Sequence, residues 1–384
     1  MLEHRTYDAV VIGAGVFGAW TALHLAKRKQ RVLLVDAYPP AHSRASSGGE
    51  TRIIRMSYGA DQIYTQWSKR SLTQWQELFS SARQNLFHQT GVLWLASEPA
   101  PNLDPSISNL RLHQVKHEVI QLPELQTRYP QINFDGISRG LLELDSGLLL
   151  ARRAVACTVA SAIRSGVNWA IVQIAIPRIK QELDYIETTS GEHISAGAYI
   201  FACGPWLGKM FPEILAARIF VTRQEVFFFA APPGDPRFTS PALPTWLFQA
   251  DEVYGAPDTE GRGLKLARDA HGPLVDPDTQ SRLVSPDGAQ WAAHYVGRRF
   301  PALRHSPIIE TRVCQYENTS NGDFLIDRHP ECSNVWLAGG GSGHGFKHGP
   351  AFGEYTAALV LQQQAPEPRF SLATKQTHQN RTVH

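Results

Sequence analysis

Apolar residues gather in short runs, separated by glycine turns and by stretches with helical periodicity. Residues 7–12 (YDAVVI) are mostly apolar and end at Gly13, the pattern of a short buried strand. Ala19, Ala22, Leu23 and Ala26 then recur at helical spacing and predict a helix to about Lys29. Residues 31–36 (RVLLVD) form a second apolar strand. Strand, glycine turn, helix and strand make a βαβ unit, so a parallel sheet begins with the first residues. Residues 61–83 predict an amphipathic helix with Ile63, Trp67, Trp75 and Leu78 on one face.

Farther along, residues 151–164 are helical, and residues 198–202 (AYIFA) are an apolar strand leading to Gly204. Residues 334–338 (NVWLA) repeat that pattern before a glycine-rich loop, and a helix should run from Pro350 to about Gln363. Residues 218–231 differ in character. They are β-rich and aromatic at Phe227, Phe228 and Phe229, and Pro/Gly punctuation follows from Pro232 to Pro244, which predicts antiparallel strands of a second lobe. The class is α/β with a discontinuous organisation. Residues 1–60, 146–215 and 311–384 form a Rossmann-like dinucleotide domain, and residues 61–145 and 216–310 form a substrate domain inserted between its returns. The last dozen residues are polar and read as a loosely held tail.

Composition narrows the function more by exclusion than by assertion. Among 384 residues, 43% are hydrophobic and 19% charged, ordinary for a soluble enzyme. A net charge of +2 is too small to argue for nucleic acid or an anionic membrane surface, and neither is expected as a partner. The fifteen histidines lack metal-ligand spacing, so no metal is expected. Cys157, Cys203, Cys314 and Cys332 contain no CxxC pair and are too few for a disulfide framework, which points to a reducing compartment and the cytoplasm. Residues 1–7 are charged, and glycines interrupt the apolar stretch after them, so neither a secretion signal nor a membrane span is expected.

Two glycine-rich segments carry the candidate chemistry. Gly13-Ala14-Gly15-Val16-Phe17-Gly18 is a GxGxxG between strand and helix. Its first glycine makes the turn, its second lets a pyrophosphate approach the backbone, and its third lets helix and strand pack closely. The helix start offers unpaired N–H groups to phosphates, and Asp36 can accept from a ribose hydroxyl. This element alone suits FAD and NAD equally, while the lack of a basic residue after Asp36 argues against NADP. The second segment, Gly339 to Lys347 (GGGSGHGFK), lets the main chain pass close to a flat ligand. A helix start at Pro350 together with Lys347 would stabilise the negative charge of a reduced flavin.

Several motifs in one order resemble the sarcosine oxidase group of flavoprotein amine oxidases, within the D-amino acid oxidase superfamily. They are GAGVFG, SSGGETRIIR at residues 46–55, YGAP at 254–257, GLKL at 263–266, CQYENT at 314–319 and SGHGFK at 342–347. The resemblance spans most of the chain. It implies FAD rather than NAD, a GxGxxG-type flavin domain and a β-rich substrate domain over the flavin ring. Cys314 matches the cysteine that the family joins to the flavin 8α-methyl, and Lys265 the lysine beside the flavin that serves reaction with O2. Arg52 corresponds to an arginine near the flavin. Arg55 and Lys347 would hold a substrate carboxylate, and Tyr254 would line its pocket. Ser46, Ser47, Thr51, Gly204, Trp206, Gly343, Gly345 and Phe346 fall within the cofactor-contacting motifs. Arg52 and Arg55 are three apart, which on a helical turn would place them on one face.

Two departures bear on the substrate. Sarcosine-specific members carry a histidine pair where this chain has Ser47 and Gly48, and a histidine where it has Asp269. His271 lies two positions later. An acid at position 269 would pair with a basic substrate side chain or with Lys265. The expected protein is therefore a monomeric FAD-dependent oxidase of the C–N bond in a small amine bearing a carboxylate, with O2 as acceptor. The open alternatives are a flavin dehydrogenase with another acceptor, a non-catalytic flavin-binding protein and an NAD-dependent dehydrogenase.

Overall fold

The computed structural model describes residues 7–379, so the charged start of the chain lies outside it. A six-stranded sheet runs in the order Leu325–Arg328, Val335–Gly339, Ala196–Phe201, Tyr7–Ile12, Val32–Asp36, Asn168–Ile171. All its pairs are parallel except the edge strand Leu325–Arg328. Its interior strands are almost wholly buried because helices cover the sheet, as parallel sheets require. The helix Val16–Lys27 packs against Gly349–Val360 and Ala151–Arg164. With the strands in register, Gly13, Asp36, Cys203 and Gly340 all emerge at one edge, where ligands of such sheets bind.

The second sheet has eight strands in the order Ile308–Asn318, Phe220–Phe229, Leu264–Arg268, Val253–Ala256, Thr245–Phe248, Val92–Ala96, Arg139–Glu143, His117–Gln121. It is antiparallel, as the aromatic run predicted, with one exception: Thr245–Phe248 pairs parallel to Val92–Ala96. Alternation divides its two faces. Phe227, Phe229, Leu264 and Leu266 pack with Trp246 and Phe248 under the helix Pro286–Arg299. Val226, Phe228, Lys265 and Ala267 lie on the opposite face. The strand Ile308–Asn318 is continuous, so the boundary expected between residues 310 and 311 falls inside it.

Three local expectations change. The segment around Arg52 is the strand Thr51–Ile54, paired with Gly147–Leu150, and not a helical turn. The amphipathic helix spans Gln62–Ser81, two residues short at its C-terminal end. The described part of the tail is anchored: Lys375 is buried and donates to Asn321 Oδ1 and Arg369 O, and Gln379 Nε2 lies 2.8 Å from His271 Nδ1. Polar composition suggested looseness, but hydrogen bonding satisfies these groups against the body. Among the described residues no helix is long and apolar enough to cross a membrane, and no cluster of three metal-type ligands occurs.

Candidate active site

The strand edge opens on a cavity of about 460 Å³. At one end Asp36 accepts from Ala14 N at 2.7 Å and from Tyr38 N at 3.0 Å. Burial pushes its carboxyl pKa up, against the pull of those amides. Gly13, Gly15, Val16 and Phe17 form the adjoining wall. Gly13 has φ +107°, and a Cβ there would sit 2.3 Å from Ala202 O, so only glycine makes this turn. Gly18 lies outside the cavity and serves packing, since a Cβ on it would come 1.8 Å from Gly13 O. The helix start is partly satisfied within the protein, because Val16 N donates to Ser47 Oγ at 3.1 Å. The Ser47 side chain, on the cavity wall, thus stands between helix and cavity.

Gly204, Trp206, Ser46, Arg52 and Cys314 continue the lining, and Gly343, Gly345 and Phe346 close the far end. The shape suits an extended dinucleotide: an acid at one end, a glycine turn in the middle, and a glycine loop facing a thiol at the other. Arg52 Nη2 donates to Cys314 Sγ at 3.3 Å and to Ser46 O at 2.7 Å.

Arg52 and Cys314 also border a smaller cavity of about 30 Å³, shared with Lys265, Phe228, Gly48 and Gly49. It is large enough for a water or a diatomic molecule. Lys265 is 3% exposed, and its Nζ donates to Thr51 O at 3.0 Å and Thr51 Oγ1 at 3.2 Å. Thr51 therefore holds Lys265 and does not line the large cavity. Burial, and then the positive charge of Arg52, press the Lys265 pKa down to about 7.

Tyr254 shares the sheet face of Lys265, whose Nζ is 5.6 Å from its ring centroid. Burial pushes the Tyr254 pKa up to about 12, and its hydroxyl is hydrogen-bonded to Tyr316. Asp269 adds negative charge that raises both phenols further. Tyr316 in turn lies under the glycine loop: a Cβ on Gly343, at φ +78°, would come 2.8 Å from its ring. The Lys265 strand and the Lys347 loop thus meet through two tyrosines.

Arg52 and Arg55 point different ways. In an extended strand, residues an odd number apart face opposite sides, so Arg52 turns to Cys314 while Arg55 lies between Tyr58 and Trp94. The Arg55 guanidinium is 4.4 Å and 4.7 Å from those ring centroids and donates to Ser57 O. Lys347 Nζ donates to Tyr58 Oη at 2.7 Å and to His344 O at 2.8 Å. Tyr58 Oη also lies 2.8 Å from His348 Nε2 and 3.1 Å from His344 Nδ1. The two cations named for a carboxylate are therefore gathered on one tyrosine, though Lys347 does not border the large cavity.

Sequence reasoning missed Tyr58, Tyr316, Trp94 and Glu143. The buried Glu143 carboxylate accepts from Met56 N (2.6 Å), Ser57 N (3.1 Å), Trp94 Nε1 (2.9 Å) and Ser146 Oγ (2.6 Å), which fixes the chain beside Arg55. Tyr58 and Tyr316 stand within the quoted stretches or next to them, so their tyrosines were the available signal. Glu143 offered none, since the main-chain amides it holds, of Met56 and Ser57, lie 87 and 86 residues away.

Comparison with known proteins supplies the family. The chain is 31% identical to the peroxisomal sarcosine oxidase of Mus musculus over 369 residues, covering 93% of this chain and 92% of the mouse protein. It is 28% identical to the N-methyl-L-tryptophan oxidase of Salmonella arizonae, covering 95% and 97% of the two chains. Among solved structures, the L-proline dehydrogenase from P. horikoshii superposes with a TM-score of 0.83 at 20% identity, covering 96% and 97%. The profile of the family described as DAO, FAD dependent oxidoreductase, matches residues 8–359. With the acid, the glycine turn and the glycine loop on one cavity, the chain belongs to this family of FAD-dependent oxidoreductases.

Proposed function

We propose that the protein is an FAD-dependent amine oxidase acting on the C–N bond of an amino acid or N-alkyl amino acid. The observation that carries this reading is the gathering of Arg55 and Lys347 on Tyr58, together with Lys265 on a small cavity whose lining shares Arg52 and Cys314 with the large one. When bound, FAD supplies the two-electron chemistry: the C–H beside the amine nitrogen is oxidised to an imine, and O2 is reduced to H2O2.

The protein's own groups bind, orient and adjust charge. Arg55 and Lys347 receive the substrate carboxylate, the guanidinium offering a bidentate fork. Tyr254 and Tyr316 form a wall of the amine pocket. Their raised pKa values keep them neutral, so they accept from or donate to an amine without taking its proton at neutral pH. In its protonated form, which predominates below its pKa of about 7, Lys265 provides a cation beside the small cavity, where it lowers the energy of superoxide formed from O2. Cys314, next to Arg52, is the attachment point for the flavin. Four unpaired cysteines suit a reducing compartment, the cytoplasm, and the enzyme works as a monomer.

Asp269 sets this chain apart from a sarcosine oxidase. A carboxylate beside Tyr254 and Tyr316 favours a substrate with a basic side chain over one with none. The test is a peroxide assay of the purified yellow protein with N-methyl, cyclic, primary and basic amino acids. Peroxide with at least one carboxylate-bearing amine is expected, with basic side chains preferred. No peroxide across the panel would overturn the oxidase reading.

A further inference from the structure

Glu317 stands where the long strand Ile308–Asn318 reaches the cavity wall. It is 5% exposed, and among the described residues its Oε1 has no hydrogen-bond partner. A Cβ on Gly339 would come 2.3 Å from that oxygen, so the acid lies against the C-terminal end of Val335–Gly339. The neighbouring strands of the sheet bring Cys203 and Gly13 to the same edge, with Asp36 beyond them. The acid therefore sits past the glycine turn, on the side toward Cys314 and the glycine loop.

Of the three carboxyls on this dinucleotide cavity, Asp278 is engaged by Lys209 and Trp206, and the other two, Asp36 and Glu317, cannot serve it alike. Asp36 already accepts from two main-chain amides and is placed to accept from a ribose. A second carboxylate nearer the middle would repel the diphosphate. We propose that Glu317 enters the groove as a neutral carboxylic acid and donates its proton in a hydrogen bond to FAD, on the ring side of the diphosphate.

The surroundings agree. Burial pushes the Glu317 pKa up to about 8, and only the amides of Gly340 and Gly341 favour its anion. From the strand Ala196–Phe201 and its turn, the facing titratable group is Cys203, whose thiol is itself pushed up by burial and by the charges of Asp36 and Glu317. On its own strand, Tyr316 is likewise pushed up by burial, and Cys314 is engaged by Arg52. From the glycine loop, Lys347 is directed to Tyr58. At the cavity mouth, Lys209 is held by Asp276 and Asp278. Among the described residues no cation meets the Glu317 carboxyl, and the Gly340 and Gly341 amides are all that favour its charge.

The sign follows from linkage. An acid that must be protonated to receive FAD binds it fully below its pKa and loses it above. Bound FAD, being anionic, raises that pKa further. This proposal rests on the FAD reading, and the experiment separates the two. FAD-free protein would be prepared in a Cys314→Ser background, so that no thioether traps the flavin, and titrated with FAD from pH 6.5 to 9.5 by flavin fluorescence. The parent should show a constant Kd near neutrality and a rise of roughly tenfold per pH unit once the acid ionises. Glu317→Gln, which donates at every pH, should bind at pH 7 within a few fold of the parent and lose the alkaline rise. Glu317→Ala should bind more weakly at pH 7 and show the same flat profile, whereas a residue with only a packing role would leave the alkaline rise intact. An identical alkaline rise in the parent and both variants overturns the proposal. Failure of the folded parent to take up FAD at any pH overturns the FAD reading instead.

Discussion

The two ends of the large cavity are built in different ways. At the nucleotide end the working groups are main chain: a glycine turn, a helix start and one acid, all placed within thirty residues of each other. At the reactive end and behind its wall, where Lys265 and Lys347 stand clear of the lining, they are side chains from distant segments, most of them charged or phenolic and buried. Lys265 is held by Thr51, Arg52 by Cys314, and Lys347 by Tyr58, across separations of more than two hundred residues. Backbone recognition tolerates only steric change, whereas the side-chain cluster concentrates electrostatic cost where the chemistry needs it.

If that contrast is right, the largest effect should come from the carboxylate cradle. Arg55→Ala should weaken a carboxylate-bearing amine by about 2–5 kcal/mol, read as a rise in KM or loss of kcat/KM. FAD content should stay unchanged, and an amine lacking the carboxylate should feel little. Equal losses for both amines would mean that Arg55 is structural.

Next in size is Lys265→Met. Reoxidation by O2 should slow by about 10²–10³-fold, the cost of removing a fixed group at a developing anion, while anaerobic reduction changes much less. Stopped-flow separation of the two half-reactions checks this. The same substitution alters stability with a definite sign. Folding holds the Lys265 pKa at about 7 against an ordinary 10.5, so the unfolded chain binds more protons between those values. Stability of the FAD-free protein should therefore rise from pH 7 toward pH 10, by up to about 1.4 kcal/mol per unit. Lys265→Met should lack that slope in denaturant melts.

At the nucleotide end, Gly13→Ala probes geometry without charge. A side chain at φ +107° costs about 1–3 kcal/mol in backbone strain, and its Cβ would overlap Ala202 O. The expected result is a lowered Tm and loss of FAD, with no change in the pH slope that Lys265 produces.

The same contrast explains what could be read from the chain. Gly13, Gly15, Gly18 and Asp36 were legible because turn, helix and acid follow one another at fixed local spacing. The antiparallel second sheet was announced by Phe227, Phe228 and Phe229 and the punctuation after them. The relation of Arg52 to Arg55 was misread, because pairing with Gly147–Leu150 makes their segment a strand. Tyr58 joins Arg55 to Lys347 and two histidines almost three hundred residues away, and no local pattern encodes such a meeting. Glu143 and Glu317 are buried acids whose surroundings exist only after folding. For the described part of the tail, polarity misled, since Lys375 and Gln379 find partners on the body, while residues 380–384 lie outside the described residues.

The most direct test is anaerobic mixing of the yellow protein with a carboxylate-bearing amine that the panel selects, followed by admission of O2. Bleaching of the flavin, then return of its colour with one H2O2 formed per flavin, is what amine oxidation at this site requires. A flavin that keeps its colour with every amine, or one that bleaches and stays bleached in air, would contradict it.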